Sequence, residues 1–276
     1  MNDVNENWKL RLFKKSILKQ LKYKMIRKYL GDYRQLRCLD LGSDNGVISY
    51  LLRQEGGLWH SADIDNRAVE MIRDAVAENV YLIETNKLPF ENEYFDLVVI
   101  VDLLEHVEKD FELMQEISRT LKSGGTLIVN VPHLKQRSLI RWVRRSVGLT
   151  DEHHGHVRAG YTLEQLARLT PEYLFECSET YSRGFSELID TFISWVLSGK
   201  DKNESSSRKK IIGEEDLARH KKLFYIYSLF YPVMWFISRL DVLLFFISGH
   251  RLVARYKKCR TEQGKDNLAC QTEKLF

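Results

Sequence analysis

The stretch Arg37 to Val47, RCLDLGSDNGV, constrains the fold of this chain more than any other. A short apolar run ending in Leu39-Asp40-Leu41 predicts a buried strand, Gly42 to Gly46 a tight glycine-bounded turn, and Val47 to Leu52 a return to helical spacing. A strand, a loop and a helix start in that order leave backbone N–H groups pointing at whatever lies above the strand, and glycine lets the chain come close to a ligand. The loop reads as a ligand cradle. A dinucleotide site asks for G-x-G-x-x-G, whereas these glycines stand four positions apart and Asp40 precedes them inside the strand.

Downstream, the same alternation repeats. Leu58 to Ile64 predicts a second strand ending in Asp63, roughly twenty residues past the loop, where a carboxylate can reach ribose hydroxyls. Asp63 also stands where it could cap a helix starting near Asn66. Asn79 to Glu84 is a third candidate strand, followed by Thr85 and by Leu88-Pro89-Phe90. Glu93 to Asp102 is near-continuously apolar, as strands covered on both faces require. Phe111, Met114, Ile117 and Leu121 mark a helix that Ser123-Gly124-Gly125 is expected to end, ahead of a strand over Thr126 to Val131. Strands alternating with helices predict an α/β doubly wound parallel sheet.

LDLGSDNG resembles the first motif of the class I S-adenosylmethionine (SAM) methyltransferases, and the segments Leu88-Pro89-Phe90 and Leu104-Glu105-His106 are similar to others in that family. The resemblance covers Arg37 to Pro132. It implies a seven-stranded Rossmann-like sheet closed by an antiparallel hairpin, with Leu174 to Ser182 and His250 to Lys257 as candidate strands, a helical insertion before the last strand, and S-adenosyl-L-methionine as cofactor. By resemblance Asp40 helps hold the methionine amino group, and Leu41, Gly42, Ser43, Asp44 and Gly46 lie against the methionine and ribose portion. Asp63 with Ile64 binds the ribose, Glu84 and Thr85 meet the adenine, and Asp102 completes the set. Asp44 stands where the middle glycine of the motif is commonest, and Asp is among the few residues that tolerate a left-handed backbone. The fourth strand lacks an Asn/Asp-Pro-Pro-aromatic motif, which counts against the nucleic-acid amino methylases.

Charge matters here by location rather than total. Lys plus Arg number 42 against 38 acids, a net charge of +4 that does not by itself imply nucleic acid. Between Lys9 and Lys28 the apolar positions Leu10, Phe13, Ile17, Leu21 and Met25 recur at helical spacing among cations, with no acid. A basic amphipathic helix over residues 1–30 suits an anionic membrane surface or a cover helix on the sheet equally. Nucleic acid ranks last, because stacking aromatics are sparse there. Residues 31–184 are then the SAM-binding domain, 185–249 a helical, aromatic-rich insertion that faces a membrane or forms a lid, and 250–276 the last strand and tail. The four cysteines form no CxxC pair and the N-terminus lacks a secretory h-region, so a cytoplasmic location, peripheral on the cytoplasmic face of the membrane, is expected.

The acceptor is read from the remaining third. Lys135, Arg137, Arg141, Arg144 and Arg145 are interleaved with Leu139, Ile140, Trp142 and Val143, and His153, His154 and His156 follow. His153 and His156 are candidate general bases, since imidazole accepts a hydroxyl proton near neutral pH; a polar loop without chemistry is the other reading. No metal is expected, for the spacing is not HExxH and no cysteine completes a site. Leu223 to Ser238 carries no charge and is interrupted by Pro232, which predicts shallow insertion rather than a bilayer span. The expected function is SAM-dependent O-methylation of a membrane-associated anionic amphiphile such as a lipid-linked saccharide or lipid. A quinone precursor or other small molecule is the alternative acceptor, and a catalytically silent SAM-fold binding protein the rival class.

Overall fold

The computed structural model describes residues 8–135, 138–149, 156–198 and 221–259. His153 and the charged linker expected over Lys200 to Lys210 lie outside the described residues. Seven strands form one sheet: β1 Arg37–Leu41, β2 Leu58–Asp63, β3 Val80–Leu82, β4 Phe95–Val101, β5 Leu121–Pro132, β6 Tyr173–Tyr181 and β7 Arg251–Lys258. Their order is β3-β2-β1-β4-β5-β7-β6. β1 to β5 run parallel and β7 runs antiparallel to both neighbours, so the expected closing hairpin is present. Strand order reverses between β1 and β4, and open α/β sheets bind ligands at the carboxyl end of such a switch point.

β4 reads FDLVVIV because both of its faces are covered. Leu39, Leu41, Val98 and Ile100 pack with Leu113, Met114 and Ile117 of helix α5, Asp110–Thr120. Cys38, Leu97, Val99 and Val101 point the other way, to Met25 and Ile26 of α2 (Ile17–Leu30) and Val47, Ile48 and Leu52 of α3 (Val47–Gln54). Each fully buried aliphatic side chain contributes about 1.5–3 kcal/mol, so this two-sided core is the main stabiliser of the parallel half.

Two expectations need correction. The N-terminal helix is two helices, α1 Trp8–Lys15 and α2, because the Ser16 side chain caps α2 by accepting from the Lys19 amide at 3.4 Å. Lys9, Lys19, Lys22, Arg27 and Lys28 turn to Asp74, Asp44, Asp102, Glu55 and Glu179, carboxylates of the domain itself. These helices form a cover. Ser123-Gly124-Gly125, in turn, does not end α5. The helix stops at Thr120 and β5 starts at once; Phe95 pairs with Leu121 but Leu97 with Thr126, so the glycines sit in a bulge.

Among the described residues the remaining helices are α4 Asn66–Val76, α6 Leu139–Ser146, α7 Leu163–Leu169, α8 Phe185–Ser198 and α9 Lys221–Arg239, the last continued by a 3-10 turn at Leu240–Leu244. α8 and α9 form the helical insertion between β6 and β7. α8 packs against α2, α6 and α9.

Candidate cofactor and acceptor site

The loop after β1 takes three left-handed residues, Gly42 (φ 83°), Asp44 (φ 57°) and Gly46 (φ 79°). Asp44 thus adopts the conformation its residue type tolerates. A Cβ on Gly42 would lie 2.4 Å from the Val101 carbonyl oxygen, and one on Gly46 would lie 2.8 Å from Ile72 Cα. Close packing against β4 and α4 therefore demands both glycines, beyond any approach to a ligand. Gly46 also starts α3, with the Val47 amide donating to Asn45 Oδ1 at 3.3 Å.

Asp40 is fully buried beneath this loop. Its carboxylate accepts from the hydroxyls of Ser43, Ser49 and Ser61, the latter two at 2.7 Å, with Arg53 Nη1 at 3.5 Å. Asp40 ties the loop to α3 and β2, because three short hydroxyl side chains converge on it. Leu41 and Ser43 are likewise buried.

Asp63 ends β2 where expected. The cap of α4 is Asp65, whose carboxylate accepts from the Arg67 amide at 2.8 Å, while Asp63 Oδ1 accepts from the Asp65 amide at 3.1 Å. Helix capping is thereby removed as the reason for Asp63. Beside it opens a cleft of about 280 Å³ lined by Ile64, Ile83, Thr85, Asn86, His106, Val107, Glu108 and Lys109. Ile64 and Ile83 offer apolar walls for a flat ring, and Thr85 and Asn86, both at positive φ, offer polar edges. Glu84 is exposed and is not part of the lining.

Asp102, at the C-terminal end of β4, turns inward rather than to this cleft. Its carboxylate pairs with Lys22 and with Arg251 Nη1 at 3.1 Å, and accepts from Asn130 Nδ2 at 2.8 Å. Lys19 Nζ lies 3.6 Å from Asp44 Oδ2, so a cation of α2 faces the one loop residue that departs from the motif. The network continues outward. Arg251 Nε is 3.5 Å from Glu187 of α8, which is 3.5 Å from Arg144 of α6. Burial alone would raise the Glu187 carboxyl, but the Arg251 and Arg144 guanidiniums overcome it and hold it below the ordinary range.

His156 is carried to the same end of the sheet. The Val157 amide donates to the Glu105 carbonyl at 2.9 Å, Arg158 pairs with Asp110, and the Tyr161 hydroxyl donates to the Leu104 carbonyl at 3.1 Å. These bonds fasten the segment onto the 3-10 turn Leu104–His106, and the rings of His106 and His156 meet edge-to-face with centroids 4.8 Å apart. Glu105 is buried, and one ligand atom each from Glu105, His106 and His156 lies within 4.8 Å of the others. Two imidazoles and a carboxylate could hold a divalent cation, a grouping that residue spacing did not reveal. The Leu104-Glu105-His106 segment was the signal available in the sequence, but it carried no role there.

The methyltransferase domain family model matches residues 39–129. A ubiquinone biosynthesis O-methyltransferase from Nitrosomonas europaea is 22% identical over 159 residues, 55% of this chain and 62% of its own length. A ubiquinone/menaquinone biosynthesis C-methyltransferase UbiE from Vibrio vulnificus is 32% identical over 103 residues, 34% of this chain and 40% of its own. The chain thus spans less than two thirds of either relative. A SAM-dependent methyltransferase from Archaeoglobus fulgidus superposes with TM-score 0.54 at 16% identity, covering 92% of this chain and 100% of the other. The (4+2)-cyclase SpnF gives TM-score 0.54 at 16% identity, with coverage of 88% and 81%. The donor set fits the family's cofactor: a left-handed loop above β1, a carboxylate at the end of β2 relieved of capping, and an apolar cleft with polar edges beside it. Residues 39–129 thus match the methyltransferase domain family, and the seven-stranded sheet has the fold of the class I SAM-dependent methyltransferases, whose cofactor is S-adenosyl-L-methionine.

Proposed function

We propose that the protein transfers a methyl group from S-adenosyl-L-methionine to a hydroxyl of a small amphiphilic acceptor, with a phenolic quinone precursor as the leading class. The carrying observation is the His106–His156 pair held at the C-terminal end of β4, with His106 lining the cleft. When bound, the cofactor supplies an activated methyl on a sulfonium. Asp63 would hold the ribose and Ile64, Ile83, Thr85 and Asn86 the adenine, while the loop Gly42 to Gly46 orients the methionine end. His106, which lines the cleft with His156 packed against its ring, takes the hydroxyl proton, since imidazole is matched to that task near neutral pH, and the rest of the rate comes from positioning in the cleft. The relatives named for ubiquinone biosynthesis support the quinone-precursor reading over the lipid-linked saccharide suggested by composition. Because one of those relatives is a C-methyltransferase, the hydroxyl acceptor rests on the histidine pair. A cytoplasmic location belongs to the same proposal.

The convergence of Glu105, His106 and His156 favours a second reading, in which a divalent cation held there would acidify a phenol. Transfer of labelled methyl from SAM to polyprenylated hydroxybenzenes, before and after chelation and after adding back zinc or magnesium, tests both. Label in an aryl ether supports the proposal. Loss on chelation with recovery on metal selects the second reading, and absence of label from every phenol and from a total lipid extract refutes both.

A further inference from the structure

Helices α8 and α9 are built inside out. On α8, Ser186, Glu187 and Thr191 are buried while Leu188, Phe192 and Trp195 are about half exposed. On α9, Tyr227, Ser228, Tyr231 and Ser238 lie on the covered side with Phe224 and Met234, and Ile226, Leu229, Phe230, Val233, Phe236 and Ile237 lie on the open side. The polar tips of the covered side are engaged. Tyr227 donates to the Lys15 carbonyl, and Tyr231 Oη accepts from Gln20 Nε2 at 2.8 Å. A surface helix in water shows the reverse pattern, its apolar stripe turned to the core.

The neighbouring pieces extend the same surface. On α6, Arg144 turns in to Glu187 and Asp190 while Leu139 and Trp142 are 76% and 66% exposed. After the 3-10 turn, Phe245 and Phe246 are 77% and 72% exposed. Asp241 welds that turn to the start of α8, accepting from the amides of Arg183, Gly184 and Phe185 at 2.6–3.1 Å. An apolar surface of this extent is far beyond what isolated exposed side chains explain, and such patches mark contact with another molecule or a membrane.

We propose that this face of α6, α8, α9 and Phe245–Phe246 docks on the anionic surface of a lipid bilayer, with α9 lying in the plane of the headgroups. Charge selects this occupant. Residues 133–149 contain no acid, and Arg145 is exposed on α6. Exposed Arg239 lies over the Trp235 ring at 4.3 Å, so a cation edges the open side of α9. Aromatic rings with cations beside them suit the headgroup boundary, where apolar burial and attraction to anionic lipid add. Phe224 to Leu244 is long and apolar enough to cross a bilayer, with 6% of its most apolar window buried. Crossing would strip α9 from α2 and α8 and expose the tyrosine and serine tips of its covered side to hydrocarbon, whereas lying in the interface keeps those bonds. The proposal does not depend on which acceptor is methylated.

The test is flotation of the intact chain with vesicles of phosphatidylcholine alone or with phosphatidylglycerol, at low and high salt. Expected is flotation with the anionic vesicles that high salt reduces without abolishing. Leu229→Glu or Phe236→Glu should each lower partitioning about tenfold or more by removing buried apolar area. Arg145→Glu with Arg239→Glu should lose mainly the preference for anionic lipid. All four positions are on the surface, so unchanged circular dichroism and melting midpoint confirm the fold independently of methyl transfer. Failure of the intact chain to float at low salt, or flotation of the glutamate variants equal to the parent, overturns the proposal. So does a dimer in solution that fails to float and dissociates on the same substitutions.

Discussion

Lys22 reaches from α2 to the carboxylate of Asp102, fastening the N-terminal cover to the end of β4. Arg251 shares that carboxylate at 3.1 Å, so the two partners are not equivalent on removal. Asp102→Ala would take the shared carboxylate from both cations and leave Arg251 its longer contact to Glu187, costing about 3–5 kcal/mol. Lys22→Met leaves Arg251 in place and should cost less than about 2 kcal/mol. Urea unfolding of both variants checks this, and equal losses would mean that Arg251 does not compensate.

Gly42 combines φ 83° with a Cβ position 2.4 Å from the Val101 carbonyl. Gly42→Ala must either strain the backbone or part the loop from β4, which should cost at least about 3 kcal/mol. A melting midpoint unchanged from the parent would contradict that packing.

His156→Ala and His106→Ala should each lower turnover roughly 10²- to 10⁴-fold and leave SAM affinity within a factor of two or three, if the pair takes the acceptor proton. Rates and calorimetric affinities measured together decide it. A loss of affinity as large as the loss of rate would make the pair a cofactor support instead.

Burial pushes the His250 imidazole down to about 4, with Glu187 opposing and Lys135, Arg144 and Arg251 adding to the shift. The folded state therefore resists protonation that the unfolded chain accepts below about pH 6.5. Stability should fall as pH drops from about 6.5 to 4, and His60, lowered by burial and by Arg53 and Arg37, adds to the trend. His250→Gln should flatten this slope. Denaturant midpoints at pH 7.5 and 5 measure it, and an unaltered slope would place the acid sensitivity elsewhere.

The parallel half of the fold was legible because its causes are local. β4 needs an unbroken apolar run, the loop needs residues that accept positive φ, and Asp63 sits at a strand end; each leaves a trace within a few positions. The bulge at Ser123–Gly125 was misread as a helix stop because glycine serves both. The links from Lys22 to Asp102, from Arg158 to Asp110 and from Arg251 to Glu187 were illegible, since each joins segments far apart in the chain and either partner alone reads as a solvated charge. The convergence of Ser49 and Ser61 on Asp40 was illegible for the same reason, since nothing near Asp40 in the chain shows it. The apolar run from Leu223 to Ser238 was visible, but not which side of it would face out.

The most direct test is calorimetric titration of S-adenosyl-L-methionine into the intact chain and into Asp63→Ala. Binding at one site is predicted, weakened in the variant by about 1.5–3 kcal/mol, or roughly ten- to 150-fold, as expected for hydrogen bonds lost from a charged group. No binding at near-millimolar cofactor, or equal affinity in a folded Asp63→Ala protein, would contradict the assignment of this site.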